Sequence, residues 1–188
     1  MIRVLIPLTE GFEESEAIVP ADLLIRSGIE AVFVGLKEKT VKGSHGIAVV
    51  CNGGSWEEAQ PNPDDFQALF LPGGMPAAIH LSESAELKQF TEAMVAAGKT
   101  VAAICASPAV VLAEWGLLRG KIACCYPGFE PKLREGGAQP WENGPCIADG
   151  SFLTGRGAGA AFDFGLALVA ALKDEETAVR LKEQVVYR

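Results

Sequence analysis

The sequence predicts an open, doubly wound α/β sandwich: a mostly parallel sheet with helices on both faces. Short apolar runs rich in Val, Ile and Leu alternate with longer helical patterns, which is the mark of βαβ units. Those runs are apolar at nearly every position rather than at every second one, as strands covered on both faces require. A third observation sets the scale. The 188 residues are 49% hydrophobic, enough for one sizeable core, and no linker or internal repeat divides them, so a single domain over 1–188 is expected.

Each element follows in order. "IRVLIPL" reads as the first strand, residues 15–28 as a helix ending at Gly28, and "EAVFVG" as the second strand. Residues 41–51, "VKGSHGIAVVC", look like a hairpin, and "ALFLPGG" like a buried strand closed by a glycine turn. The stretch "LSESAELKQFTEAMVAAGK" carries a capping-box pattern, Ser82 or Ser84 before Glu86 or Leu87, and predicts one helix over 82–98 that stops at Gly98. "TVAAIC" is the next strand, and residues 106–116 are expected to be helical. Pro127 to Pro145 is rich in Gly and Pro and reads as an irregular surface connection. Residues 146–154 form a second hairpin turning at Asp149-Gly150, and the chain ends in two helices divided near Lys173-Asp174.

Composition removes several function classes. Lys and Arg are outnumbered 16 to 24, for a net charge of -8, so nucleic acid and anionic membrane surfaces are poor partners. No apolar stretch approaches membrane-spanning length and the N-terminus lacks a cleavage-type site, which makes a cytoplasmic protein the expectation. The five cysteines, Cys51, Cys105, Cys124, Cys125 and Cys146, contain no C-x-x-C pair and are expected as free thiols. Neither His45 nor His80 sits at a ligand spacing, so no metal site is expected.

In an open α/β sheet the ligand site lies beyond the carboxyl ends of the strands. Three loops should meet there: "LTEGFEESE", "LPGGMP" and "ICASP". Cys105 falls at a strand-to-helix junction, where free N–H groups and the helix dipole favour a thiolate, although a buried packing cysteine is the competing reading. Gly73-Gly74 allows close backbone approach and aims an N–H at an oxyanion, or is simply a tight turn. Glu13 and Glu14 read as solvated complements of a helix dipole. Glu16, if it faces the cleft beside a thiol, has its acid form favoured and serves as acid or base. "GRGAGA", residues 155–160, has dinucleotide-loop spacing but no later strand to complete a βαβ unit; we read it as a close-packed loop, with Arg156 anchoring the loop or a substrate anion. No cofactor is expected. The pair Cys124-Cys125 reads as strand packing.

Taken together, "GFEESE", "LPGG", "AAICASP" and "TGRGAG" resemble, in order and spacing, the ThiJ/PfpI superfamily in the branch of the Parkinson-associated deglycase. The resemblance runs nearly end to end. It implies a flavodoxin-like homodimer whose oxidation-prone reactive cysteine is matched by Cys105, with a protonated glutamate matched by Glu16. It also implies an oxyanion pocket matched by Gly74 and Ala106, and it matches Arg156 and Cys51, the latter near the dimer contact. Gly73, Tyr126, Arg156 and Glu13 are the candidate substrate contacts. The activities implied are cofactor-independent conversion of methylglyoxal to lactate and removal of early glycation adducts, besides chaperone and oxidative-stress roles. One departure matters: "CCYPG" puts Tyr126 where the branch often has a histidine, so no Cys-His-acid triad forms and Glu16 carries the proton transfers. A redox-sensing stress protein built on the same Cys105 is the alternative function.

Overall fold

The computed structural model describes residues 1–188. The chain runs β1 (Arg3–Leu8), α1 (Glu14–Arg26), β2 (Glu30–Gly35), β3 (Thr40–Lys42), β4 (Ala48–Val50), α2 (Trp56–Ala59), β5 (Ala68–Leu71), α3 (Ala77–Glu83), α4 (Ala85–Ala96) and β6 (Thr100–Ile104). A π-helix over Pro108–Ala113 follows. After it come β7 (Ile122–Ala123), α5 (Glu130–Glu135), β8 (Gln139–Pro140), β9 (Cys146–Asp149), β10 (Phe152–Gly155), α6 (Ala161–Leu172) and α7 (Glu175–Gln184).

Six strands form the main sheet in the order β2-β1-β5-β6-β10-β9, all parallel except the β9–β10 edge hairpin. The five parallel strands therefore stand in the flavodoxin-like order, second-first-third-fourth-fifth. Alternate strand residues feed two cores. Leu5, Val32, Leu69, Leu71, Val101 and Ala103 pack with Phe90 and Met94 of α4 and with the π-helix. Val4, Ile6, Leu8, Phe70, Ala102 and Ile104 pack on the other face with Leu23 and Leu24 of α1 and Phe164 and Leu168 of α6. This two-sided burial is why the strand sequences do not alternate, and each fully buried Leu or Ile contributes roughly 1.5–3 kcal/mol.

Both expected hairpins form, the second around Asp149-Gly150. Three expectations are corrected. The single helix over 82–98 is two: α3 starts behind Pro76, and Ser84 ends it while capping α4 through Leu87 N at 3.2 Å. The segment after Cys105 is a six-residue π-helix rather than an α-helix over 106–116. Pro127–Pro145 is not wholly irregular, since it holds α5 and β8, which pairs in parallel with β7. Cys124 and Cys125 are both buried just past β7; the Cys124 thiol donates to Thr154 O at 3.1 Å.

Candidate active site

β1, β5 and β6 are adjacent and parallel, so the loops after Leu8, Leu71 and Ile104 open at one edge of the sheet. The first loop is tied down on both sides: Gly11 N donates to Lys42 O at 2.9 Å and Glu13 N to Gly73 O at 3.0 Å. Glu13 is the N-cap of α1. Its Oε2 accepts from Glu16 N and from Ser15 Oγ, each at 2.7 Å. The cap fixes the first turn of α1 so that Glu16, 1% exposed, enters the interior beside Cys105.

Cys105 has φ +65°, a left-handed conformation that costs a non-glycine residue roughly 1–3 kcal/mol. Its neighbours hold it there. Cys105 N donates to Gly155 O at 2.9 Å, and Tyr126 N donates to Cys105 O at 2.8 Å. Buried Ser107 fastens the elbow to the second loop by donating to Pro72 O at 2.5 Å. The half-buried Cys105 thiol thus faces the Glu16 carboxyl and the N–H groups of Gly74 and Ala106.

The glycines make this approach possible. A Cβ on Gly73 would meet Glu16 Oε2, Cys105 Cβ and Ile104 O; one on Gly74, where φ is +101°, would meet Gly11 O and Glu13 N. Gly73 is buried and serves as the floor beneath the pair. Tyr126, 49% exposed, and Gly157 stand at the mouth, where a Cβ on Gly157 would come within 3.2 Å of the Tyr126 ring and 3.7 Å of Glu16 Oε1. From there an open groove of about 710 Å³ runs between Tyr126, Glu142–Pro145 and Arg156–Ala160. Arg156 lines it, with Nη1 donating to Glu142 O at 2.7 Å.

The electrostatics of Cys105 and Glu16 belong together. Burial pushes the Cys105 thiol up to about 12; the charge of Glu16 and its hydrogen bond add to the rise, while the Gly74 and Ala106 N–H groups oppose it. Burial also raises Glu16 to about 7, Glu13 adds to that rise, and the Cys105, Gly73 and Ala158 hydrogen bonds oppose it. Two of the causes that raise the thiol exist only while Glu16 is ionised. Glu16 Oε2 is buried with no hydrogen-bond partner, which penalises a carboxylate more than a carboxylic acid. Once Glu16 is protonated it stops repelling a thiolate and can donate to it. The direction that stands is therefore upward for Glu16, and the two groups titrate as one unit. The expected source of thiolate stabilisation is corrected accordingly: a six-residue π-helix headed by Pro108 replaces the regular helix, and two local N–H groups with Glu16 replace its dipole.

Two residues of this neighbourhood escaped the sequence reading. Ser107 is one. Glu14 is buried rather than solvated, and it accepts from His45 N at 2.8 Å, Ile47 N at 3.2 Å, His45 Nδ1 at 2.9 Å and Ser44 Oγ at 3.3 Å. Burial alone would raise it, but the hydrogen bonds from His45 and Ile47 prevail and hold it near 2. It thereby pins the β3–β4 turn to the start of α1. Glu13, Glu14 and His45 bring ligand-type atoms within 4.8 Å of one another, with the His45 ring itself bonded to Glu14. Cys51, matched to a dimer-contact cysteine, is fully buried in the core, which raises it to about 11.

A profile described as the DJ-1/PfpI family matches residues 2–171. The chain belongs to the DJ-1/PfpI family. Within that family it is 31% identical to the Parkinson disease protein 7 homolog of Danio rerio, over 99% of this chain and 97% of that one. It is 33% identical to a deglycase of Pyrococcus abyssi, over 92% of this chain and all of the other. A glutathione-independent glyoxalase of Caenorhabditis elegans is 31% identical, over 92% of this chain and 89% of its own. Among solved structures, oxidized DJ-1 of Toxoplasma gondii superposes with a TM-score of 0.90 at 32% identity, covering 100% and 99% of the two chains. No helix of the chain is long and apolar enough to cross a membrane.

Proposed function

We propose that this DJ-1/PfpI protein is a cofactor-independent cysteine enzyme acting on reactive dicarbonyls, as a glyoxalase that yields a hydroxy acid and as a deglycase of early adducts. The observation that carries the reading is the strained elbow of Cys105, whose sulfur faces one buried carboxyl and two backbone N–H groups. Its relatives named deglycase and glutathione-independent glyoxalase support the same chemistry.

The Cys105 thiolate adds to the aldehyde carbon of methylglyoxal, forming a C–S bond and an oxyanion that the Gly74 and Ala106 N–H groups stabilise. Glu16, protonated while Cys105 is a thiolate, gives its proton to that oxygen, which leaves a hemithioacetal and a Glu16 carboxylate. Glu16 then removes the proton from C1 and returns it at C2 through an enediol, leaving a thioester of the hydroxy acid on sulfur. Water cleaves the thioester to lactate and restores the thiol. Gly73 keeps the pair close, Tyr126 and Arg156 hold the rest of the substrate at the mouth, and Glu13 acts from behind Glu16. Mapping the protein after methylglyoxal treatment tests the sequence of steps. A one-equivalent adduct confined to the Cys105 peptide, decaying in wild type and accumulating in Glu16→Gln, is expected; no adduct at Cys105 would remove the mechanism.

Oxidation of the same sulfur is the second reading, in which Cys105 senses peroxide instead of turning over. Its support is that the accessible, acid-paired thiol suits both tasks, and that a close structural relative is described as oxidized. Rapid gain of two oxygens at Cys105 together with negligible dicarbonyl turnover favours the sensor.

We place the protein in the cytoplasm as a homodimer. Ile18 and Ile25 expose one face of α1 at 41% and 58%, and Ile47 and Val50 stand out from the β3–β4 hairpin at 60% and 65%. Apolar surface of this kind suits a partner copy. A monomeric mass by light scattering would refute the dimer.

A further inference from the structure

We propose that Glu13 is a positioning residue that decides which member of the Cys105–Glu16 pair keeps the proton, and that its charge places the pair's single negative charge on sulfur. The geometry singles it out. Glu13 is the N-cap of the helix that bears Glu16, its Oε2 sits 2.7 Å from Glu16 N, and its own N–H reaches the carbonyl of Gly73, the floor of the pair. Its side chain is only 19% exposed, so solvent screens it poorly.

Two states with one charge compete: thiol with carboxylate, and thiolate with carboxylic acid. A fixed anion raises the energy of both, but more for the nearer charge. Glu13 caps the first turn that carries Glu16, 2.7 Å from Glu16 N, and its charge raises that carboxyl; burial, Glu16 and the Gly74 and Ala106 amides are the main influences on Cys105. The carboxylate–thiol state therefore suffers more, and the thiolate–acid state gains. The charged and titratable groups around Glu13 are Glu14 and Glu16 on α1, His45 on the hairpin, 4.0 Å from Oε1, and Cys105 beyond Glu16. The turn at Gly73-Gly74 brings none. Capping alone needs an oxygen, not a charge, and this separates the proposal from a purely structural role.

The inference rests on the reading of Cys105 and Glu16 as a reactive pair, but not on any dicarbonyl substrate. The test is the rate of Cys105 alkylation by iodoacetamide across pH, read by peptide mass in the full chain. Glu13→Gln keeps an acceptor for Glu16 N and Ser15 Oγ while removing the charge. Above the pair's first ionisation, at pH 8, its alkylation rate is expected to fall roughly 3- to 10-fold, because less of the single charge lies on sulfur, while the midpoint of that ionisation moves to lower pH. Asp and Asn both cap well, so Glu13→Asp and Glu13→Asn form a second pair that differs only in charge, and Asp is expected to react faster by a similar factor. Equal rates within both pairs would overturn the proposal and leave Glu13 a cap. A charge-dependent split without dicarbonyl turnover would sustain it while refuting the enzymatic function.

Discussion

Cys105 concentrates the account at the scale of single residues. Its sequence neighbours place it at a strand end, yet they say nothing of the φ of +65° that turns the sulfur toward Glu16. That angle follows from Gly155 O, Tyr126 N and the Ser107–Pro72 bond, all contacts between segments distant in sequence. Glycine occupies this region without strain, so Cys105→Gly is expected to be more stable than Cys105→Ala by about 1 kcal/mol, reversing the usual order; chemical denaturation checks it. Glu16, the last acid of "GFEESE", was legible as an acid–base candidate on the condition that its face of α1 looks into the cleft. Ser107 was not, since a small polar residue in "CASP" has no visible partner until the second loop is folded against it.

Among the elements, the six strands of the main sheet, both hairpins, α1, α6 and α7 could be read from apolar runs and turn residues. The α3–α4 division could not, because Ser84 terminates one helix and caps the next without interrupting the pattern. Glu14 was misread for a related reason: an acid in a first helical turn usually meets solvent, and only the β3–β4 turn folded over it reveals a buried acceptor. Glu14→Ala leaves the N–H groups of His45 and Ile47 without this partner, so a loss of about 1–3 kcal/mol in urea unfolding is expected. The sign of the pH effect follows from its depression to about 2. The docking is complete above the ordinary carboxylate range near 4.5 and is lost as pH falls toward 2, seen as faster amide exchange at Ser44–Ile47.

For the whole molecule, a flavodoxin-like sheet brings three loop ends to one edge, and the protein holds there an acid that its fold disfavours in ionised form. Glu16 ionises near 4.5 when unfolded and near 7 when folded, so stability declines as pH rises between those values. Glu16→Gln removes the penalty: it is expected to exceed wild type by ~3 kcal/mol at pH 8 and to match it at pH 4, as thermal or urea unfolding will report. Such a penalty persists in a native chain when the strained group is functional. Lactate formation from methylglyoxal by wild type, Cys105→Ala and Glu16→Gln tests that function most directly. Turnover by wild type, abolished in the first variant and reduced at least roughly 100-fold in the second, is predicted from the usual worth of a general acid–base group; equal rates in all three would contradict the account.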